Sequence, residues 1–150
     1  MADTCRRKGA AVEIMHNDVI DRETMAALLT GFDDSHPVDL LIDNAGILID
    51  SDNADLGDFS IAHRTMAVNV GGVSNTVEPL IERFMARGHG QVALMSSLAG
   101  FIGLPYAASY NASKAAVRVW GESLRHELKK GGVGVSVIWP GFVVSRITAR

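Results

Sequence analysis

Tyr110 and Lys114 stand four residues apart in the run Ser109-Tyr110-Asn111-Ala112-Ser113-Lys114. On a helix that spacing stacks a phenol and an ammonium on one face, a turn apart. A free phenol titrates near roughly 10, too high for efficient proton exchange at neutral pH. A cation beside it favours the phenolate and pulls that value down. The chemistry such a pair can do is proton transfer to or from an oxygen. Taken alone, the pair reads as surface decoration. Its weight comes from other residues that could gather around it: the hydroxyls of Ser96 and Ser97, the small-residue run Asp43-Asn44-Ala45-Gly46, and Pro140-Gly141.

These residues need a frame, and the sequence supplies one. Residues 10–18 form a short apolar run with partial alternation. Residues 21–32 predict a helix, with Asp21 as N-cap and Met25, Leu28, Leu29 and Phe32 on its apolar face. Residues 38–46 read as a buried strand closed by Asn44-Ala45-Gly46. A long amphipathic helix is expected over 59–88, with Gly71–Gly72 and Pro79 arguing against a straight rod. A second buried strand follows over 90–97. The next helix spans 107–132, stops at Gly131–Gly132 and carries Lys129 and Lys130 at its negative end. A last strand, 133–141, is broken by Pro140.

The order is β-α-β-α-β-α-β. It predicts an α/β fold, a Rossmann-like parallel sheet with helices on both faces, in one domain spanning residues 1–150. Ligands of such sheets bind outside the carboxyl ends of the strands. Here those ends are Asn17–Asp18, Asp43–Gly46, Met95–Ser97 and Trp139–Gly141. No internal repeat or low-complexity segment interrupts the pattern.

With these residues in this order, the sequence resembles the short-chain dehydrogenase/reductases over essentially its whole length. Tyr-x-x-x-Lys alone is a weak signal. The family's Asn-Asn-Ala-Gly strand end, its Ser, its Tyr-x-x-x-Lys and its Pro-Gly stand here as Asp43–Gly46, Ser97, Tyr110 with Lys114, and Pro140–Gly141. Ala67-Val68-Asn69-Val70-Gly71-Gly72 looks like the segment bearing the family's active-site asparagine. The resemblance implies hydride transfer between NAD or NADP and an alcohol or ketone. Tyr110 would be the general acid and base, and Ser97, preferred over Ser96 by the family spacing, would bond the substrate oxygen. Lys114 would hold the nicotinamide ribose, and Asn69 would anchor a water that passes protons to Lys114. Asp18 and Val19 would meet the adenine ring. Asn44, Ala45, Gly46, Pro140, Gly141, Val143 and Ser145 would complete the cofactor contacts.

The sequence also departs from the family. Its 150 residues hold no Gly-x-x-x-Gly-x-Gly turn, the element that cradles a pyrophosphate at a helix N-terminus. The chain looks truncated at both ends, with a catalytic face and half a cofactor site. The run 10–18 then has no neighbouring strand. Folding is expected around the three later strands, or with residues 11–15 moved beside the strand at 38–46, whose edge is open. Asp43 replaces the first Asn of its motif, which puts a charge at a buried strand end and costs unless it is paired or protonated.

Composition narrows the alternatives. The chain is 47% hydrophobic with a net charge of −3 and no basic stripe, so neither nucleic acid nor an anionic membrane is an expected partner. The single Cys5 excludes an intrachain disulfide framework, and no signal-peptide core opens the chain; the expectation is a cytoplasmic protein. The five histidines show no metal spacing, and residues 50–58 lack the pattern of a calcium loop and read as a solvated acidic loop. Trp120 and Trp139 are expected in the core. Helices 59–88 and 107–130 could pair copies of the chain as a homodimer or homotetramer. The alternative to an enzyme is an inactive fragment that acts at most through that pairing.

Overall fold

The computed structural model describes residues 2–48 and 59–144. A short helix α1, Ala2–Arg7, precedes α2, Arg22–Ser35. Asp21 caps α2 as expected: its carboxylate accepts from the Thr24 amide at 3.1 Å and the Thr24 hydroxyl at 2.7 Å. Strand β1 is Leu40–Asp43. Helix α3, Ser60–Met66, runs through a π-helical turn at Ala67–Gly71 into α4, Gly72–Arg87, which passes Pro79 and ends at Gly88 in the left-handed region. Strand β2, Gly90–Met95, leads through a 3₁₀ turn at Leu98–Gly100 to α5, Ala108–Leu128, and then to β3, Val133–Ile138.

The three strands form one parallel sheet in the order β1-β2-β3, with Leu41 opposite Val92 and Val92 opposite Val135. Alternation along the strands decides what each face does. Leu41, Val92, Leu94, Val133 and Val135 point to the side where α4 brings Val73, Val77, Leu80 and Phe84, and α5 brings Val117, Leu124 and Leu128. That is the core. On the opposite side Leu40, Ile42 and Ile138 remain exposed. The Rossmann-like parallel sheet is as expected; among the described residues its helical cover closes over one face.

Residues 10–18 form no strand, which corrects the first element of the expected series. A strand is held by a ladder, and among the described residues β1 pairs only with β2, so no strand lies beside this segment to form one. The sheet folds around the three later strands instead. The segment is tethered at its end. The Val19 side chain occupies the space a Cβ on Gly72 would need, and Asn75 Nδ2 donates to the Val19 carbonyl at 2.9 Å.

Asp33 ties α2 to α4. It is fully buried and accepts from Arg87 at 2.7 Å, Arg83 at 3.1 Å and the Val38 amide at 2.8 Å. The Arg87 hydrogen bond, with smaller help from Val38 and Arg83, holds the carboxyl down to about 2 against the opposing effect of burial. A carboxyl lowered on folding stabilises at neutral pH and loses that contribution as pH falls through about 2. Asp33→Ala strands these donors and is expected to cost roughly 1–3 kcal/mol in urea unfolding at pH 7. An unchanged midpoint would show that the cluster contributes nothing.

Candidate active site

The carboxyl ends of β1 and β2 and the first turns of α5 meet at one place. Lys114 is buried, and its Nζ donates to the Met95 carbonyl at the end of β2 at 2.7 Å. It lies 5.8 Å from the centre of the Tyr110 ring. Desolvation lowers the ammonium's pKa, and the negative charge of Asp43 counters part of that. Tyr110 is half-buried, so its ring covers the lysine while the side chain keeps a path to solvent.

The strand-to-helix link after β2 is pressed onto α5. Gly100 sits where a Cβ would come within 2.9 Å of the Lys114 carbonyl group, a close approach open only to glycine. Ser97 has extended backbone at the start of this link, and its Oγ accepts from the Ala99 amide at 3.1 Å. Its hydroxyl proton remains available to a ligand. Ser96 turns the other way: it is buried and donates to the Lys114 carbonyl at 2.7 Å.

Asn69 occupies the π-helical turn and is fully buried. Its Oδ1 accepts from the Ile47 amide at 2.8 Å, and its Nδ2 donates to the Ile47 carbonyl at 2.9 Å and to Ser113 Oγ at 3.0 Å. Ser113 in turn donates to the Tyr110 carbonyl at 2.7 Å. Asn69 thus fixes the chain leaving β1 against the helix that carries Tyr110 and Lys114. Gly46 lies beside both: a Cβ there would stand 3.3 Å from Lys114 Nζ and 3.5 Å from Asn69 Oδ1.

The structure therefore brings Gly46, Asn69, Tyr110 and Lys114 together, with Ser97 on the adjoining link. Asn44 is exposed at the strand end, and Ala45 is half-buried between it and Gly46. Pro140 follows β3 and accepts from the Leu98 amide at 3.2 Å; Gly141 lies against Leu98, and Val143 is exposed beyond it. Asp18 and Val19 lie apart from this group, at the tether on α4; Asp18 accepts from the Ile20 amide at 3.2 Å. Ser145 and the acidic loop 50–58 fall outside the described residues. Trp139 is exposed rather than in the core, edge-on to Phe101 at 5.2 Å.

Sequence reasoning missed Ser96 and Ser113 as supports of the lysine and the asparagine. Both are small hydroxyl residues next to a candidate, which is the available signal, but only the fold distinguishes a hydroxyl facing backbone from one facing a ligand. No group of three or more His, Cys, Asp or Glu residues able to hold a metal occurs among the described residues. Nor, among them, is any helix long and apolar enough to cross a membrane.

Known proteins share this arrangement of elements. The sequence profile described as short chain dehydrogenase matches residues 1–150. An uncharacterized oxidoreductase of Myxococcus xanthus (strain DK1622) is 33% identical over 99% of this chain and 59% of its own length. The ketoacyl reductase HetN of Nostoc sp. (strain PCC 7120) is 32% identical over 95% of this chain and 51% of its own. Among solved structures, a gluconate 5-dehydrogenase from Burkholderia cenocepacia J2315 in complex with NADP and tartrate superposes with a TM-score of 0.87 at 26% identity, over 99% of this chain and 58% of that one. The chain thus spans between half and three-fifths of the length of these relatives. On the full-length profile match and these identities, the chain belongs to the short-chain dehydrogenase family, a family of oxidoreductases.

Proposed function

We propose that the chain carries the catalytic face of an NAD(P)-dependent oxidoreductase that interconverts an alcohol and a ketone, with Tyr110 as the proton donor and acceptor. The observation that carries this reading is the Lys114 ammonium, buried under the Tyr110 ring and pinned to the Met95 carbonyl. Burying a cation is costly, and a site that does so beside a phenol has a use for its field.

The residues present fit the nicotinamide-ribose end of the cofactor. An ammonium has three N–H groups, and one goes to Met95, leaving others for ribose hydroxyls. Gly46 keeps side-chain atoms out of the space beside that ammonium. Tyr110 and Lys114 would hold the ribose, with Asn44, Ala45, Gly46, Pro140, Gly141 and Val143 around it and Asp18 with Val19 toward the adenine; Ser145 completes the set from the sequence. When bound, the cofactor supplies or accepts the hydride.

The chain's own residues do the rest. Ser97 donates a hydrogen bond to the substrate oxygen and holds it at the phenol. In reduction the Tyr110 O–H gives that oxygen its proton; in oxidation the phenolate takes the proton back. The Lys114 charge stabilises the phenolate left behind. Asn69 holds the Gly46–Ile47 backbone in place, and the second lone pair of its Oδ1 is free to keep a water toward Lys114.

Calorimetric titration of the 150-residue chain with NADH and with NADPH tests the reading. Saturable heat with at least one of them is expected. A folded sample that gives none with either would overturn it.

A further inference from the structure

Asp43 ends β1 on its buried side, 2% exposed, and neither of its carboxylate oxygens has a hydrogen-bond partner. An orphaned carboxylate at that depth is expensive and calls for a reason. Its neighbour across the ladder is Leu94, and the next residue of β2, Met95, is the one that accepts from Lys114 Nζ. Two buried groups of opposite charge therefore share one end of the β1–β2 pair. Among the described residues Lys114 is the charged side chain whose field reaches Asp43, and Asp43 is the one whose field reaches Lys114. The other titratable group here, Tyr110, meets Lys114 through its ring, and Leu94, Gly46 and Asn69 are uncharged.

We propose that Asp43 is a positioning residue that acts through Lys114: its carboxylate keeps the lysine protonated at the site, and the carboxyl's own protonation withdraws that support. The inference rests on the reading of Lys114 as the cation of the active site, and it goes beyond that reading by assigning what keeps the cation charged. Burial alone would drive the ammonium toward its neutral form; the Asp43 anion opposes this. Burial likewise pushes the Asp43 carboxyl up to about 6, with Lys114 pulling the other way. Above about 6 Asp43 is an anion, and the pair is complete through the neutral and alkaline range in which the phenol must work.

NMR on the cofactor-free chain tests this without any assay of turnover. In the unaltered chain, the ¹³C signal of the Asp43 carboxyl is expected to titrate near pH 6, and the ¹⁵Nζ signal of Lys114 to shift with the same midpoint. In Asp43→Asn that inflection disappears, and Lys114 loses its proton at a lower pH, because the anion that opposed its desolvation is gone. In a turnover assay, the alkaline limb of kcat/KM would move down in pH together with the Lys114 titration, which a purely structural role for Asp43 would not cause. A Lys114 signal with no inflection near pH 6 in the unaltered chain overturns the inference, even if the Asn variant fails to fold. The inflection together with no heat from NADH or NADPH would support the Asp43–Lys114 coupling and sink only the assignment of function.

Discussion

Tyr110→Phe is expected to lower kcat for NAD(P)H-dependent reduction of a ketone by about 10²–10⁴-fold, the usual worth of a positioned proton donor. The substitution removes one oxygen and keeps the ring. That ring is what covers the Lys114 ammonium at 5.8 Å, so the packing of the lysine stays in place. Lys114 keeps its bond to the Met95 carbonyl, and the backbone bond from Ser113 to the Tyr110 carbonyl does not involve the side chain. Cofactor affinity by calorimetry is therefore expected to fall by no more than about tenfold, the worth of one hydrogen bond to the ribose, because Lys114 keeps its own, and the urea midpoint to stay close to that of the parent chain. The discriminating result is the combination: chemistry lost, binding and folding kept. A variant that retains turnover within tenfold would mean that the proton comes from elsewhere.

Phe84→Ala should have the largest effect on stability. Phe84 is fully buried in the last turn of α4, and its ring fills the space a Cβ on Gly90 would need at the start of β2. The Arg87 guanidinium lies 5.3 Å from its ring centre, over one edge of the core. Truncating a buried phenylalanine costs about 3–5 kcal/mol, the sum of lost apolar transfer and an unfilled cavity. The loss falls on a sheet with one buried face, so little other apolar surface can offset it. Urea unfolding should show an unchanged slope and a midpoint lowered by that energy divided by the slope. A loss below about 1 kcal/mol would mean that the neighbouring side chains close over the gap, contrary to the packing described here.

The strands at 90–95 and 133–138 were legible because each is a short apolar run bounded by glycine or proline. The helix bearing Tyr110 and Lys114 was legible because a long amphipathic run ends at a glycine stop. Residues 10–18 failed by the same rule: alternation records a strand's affinity for a sheet, but pairing requires a neighbouring strand, and none among the described residues lies beside this segment. The π-helical turn at Ala67–Gly71 left no signature beyond the glycine pair. Asp43 was the residue that did announce itself. A charge ending an apolar run is an anomaly in any buried strand, and the structure places it within the field of the one buried lysine among the described residues.

The sheet has a consequence for how the chain reaches this state. It contains no hairpin. Leu41 must find Val92, and Val92 must find Val135, each across a full helix of intervening chain. Closing loops of that size costs entropy before a single ladder bond forms, whereas α4 and α5 need only local contacts. The two helices are therefore expected to form early, with the strands assembling on the apolar faces those helices present. Phe84 and Val117, one on each helix, would then be nucleation sites as well as core residues, and the sheet would be the last part of the molecule to be zipped.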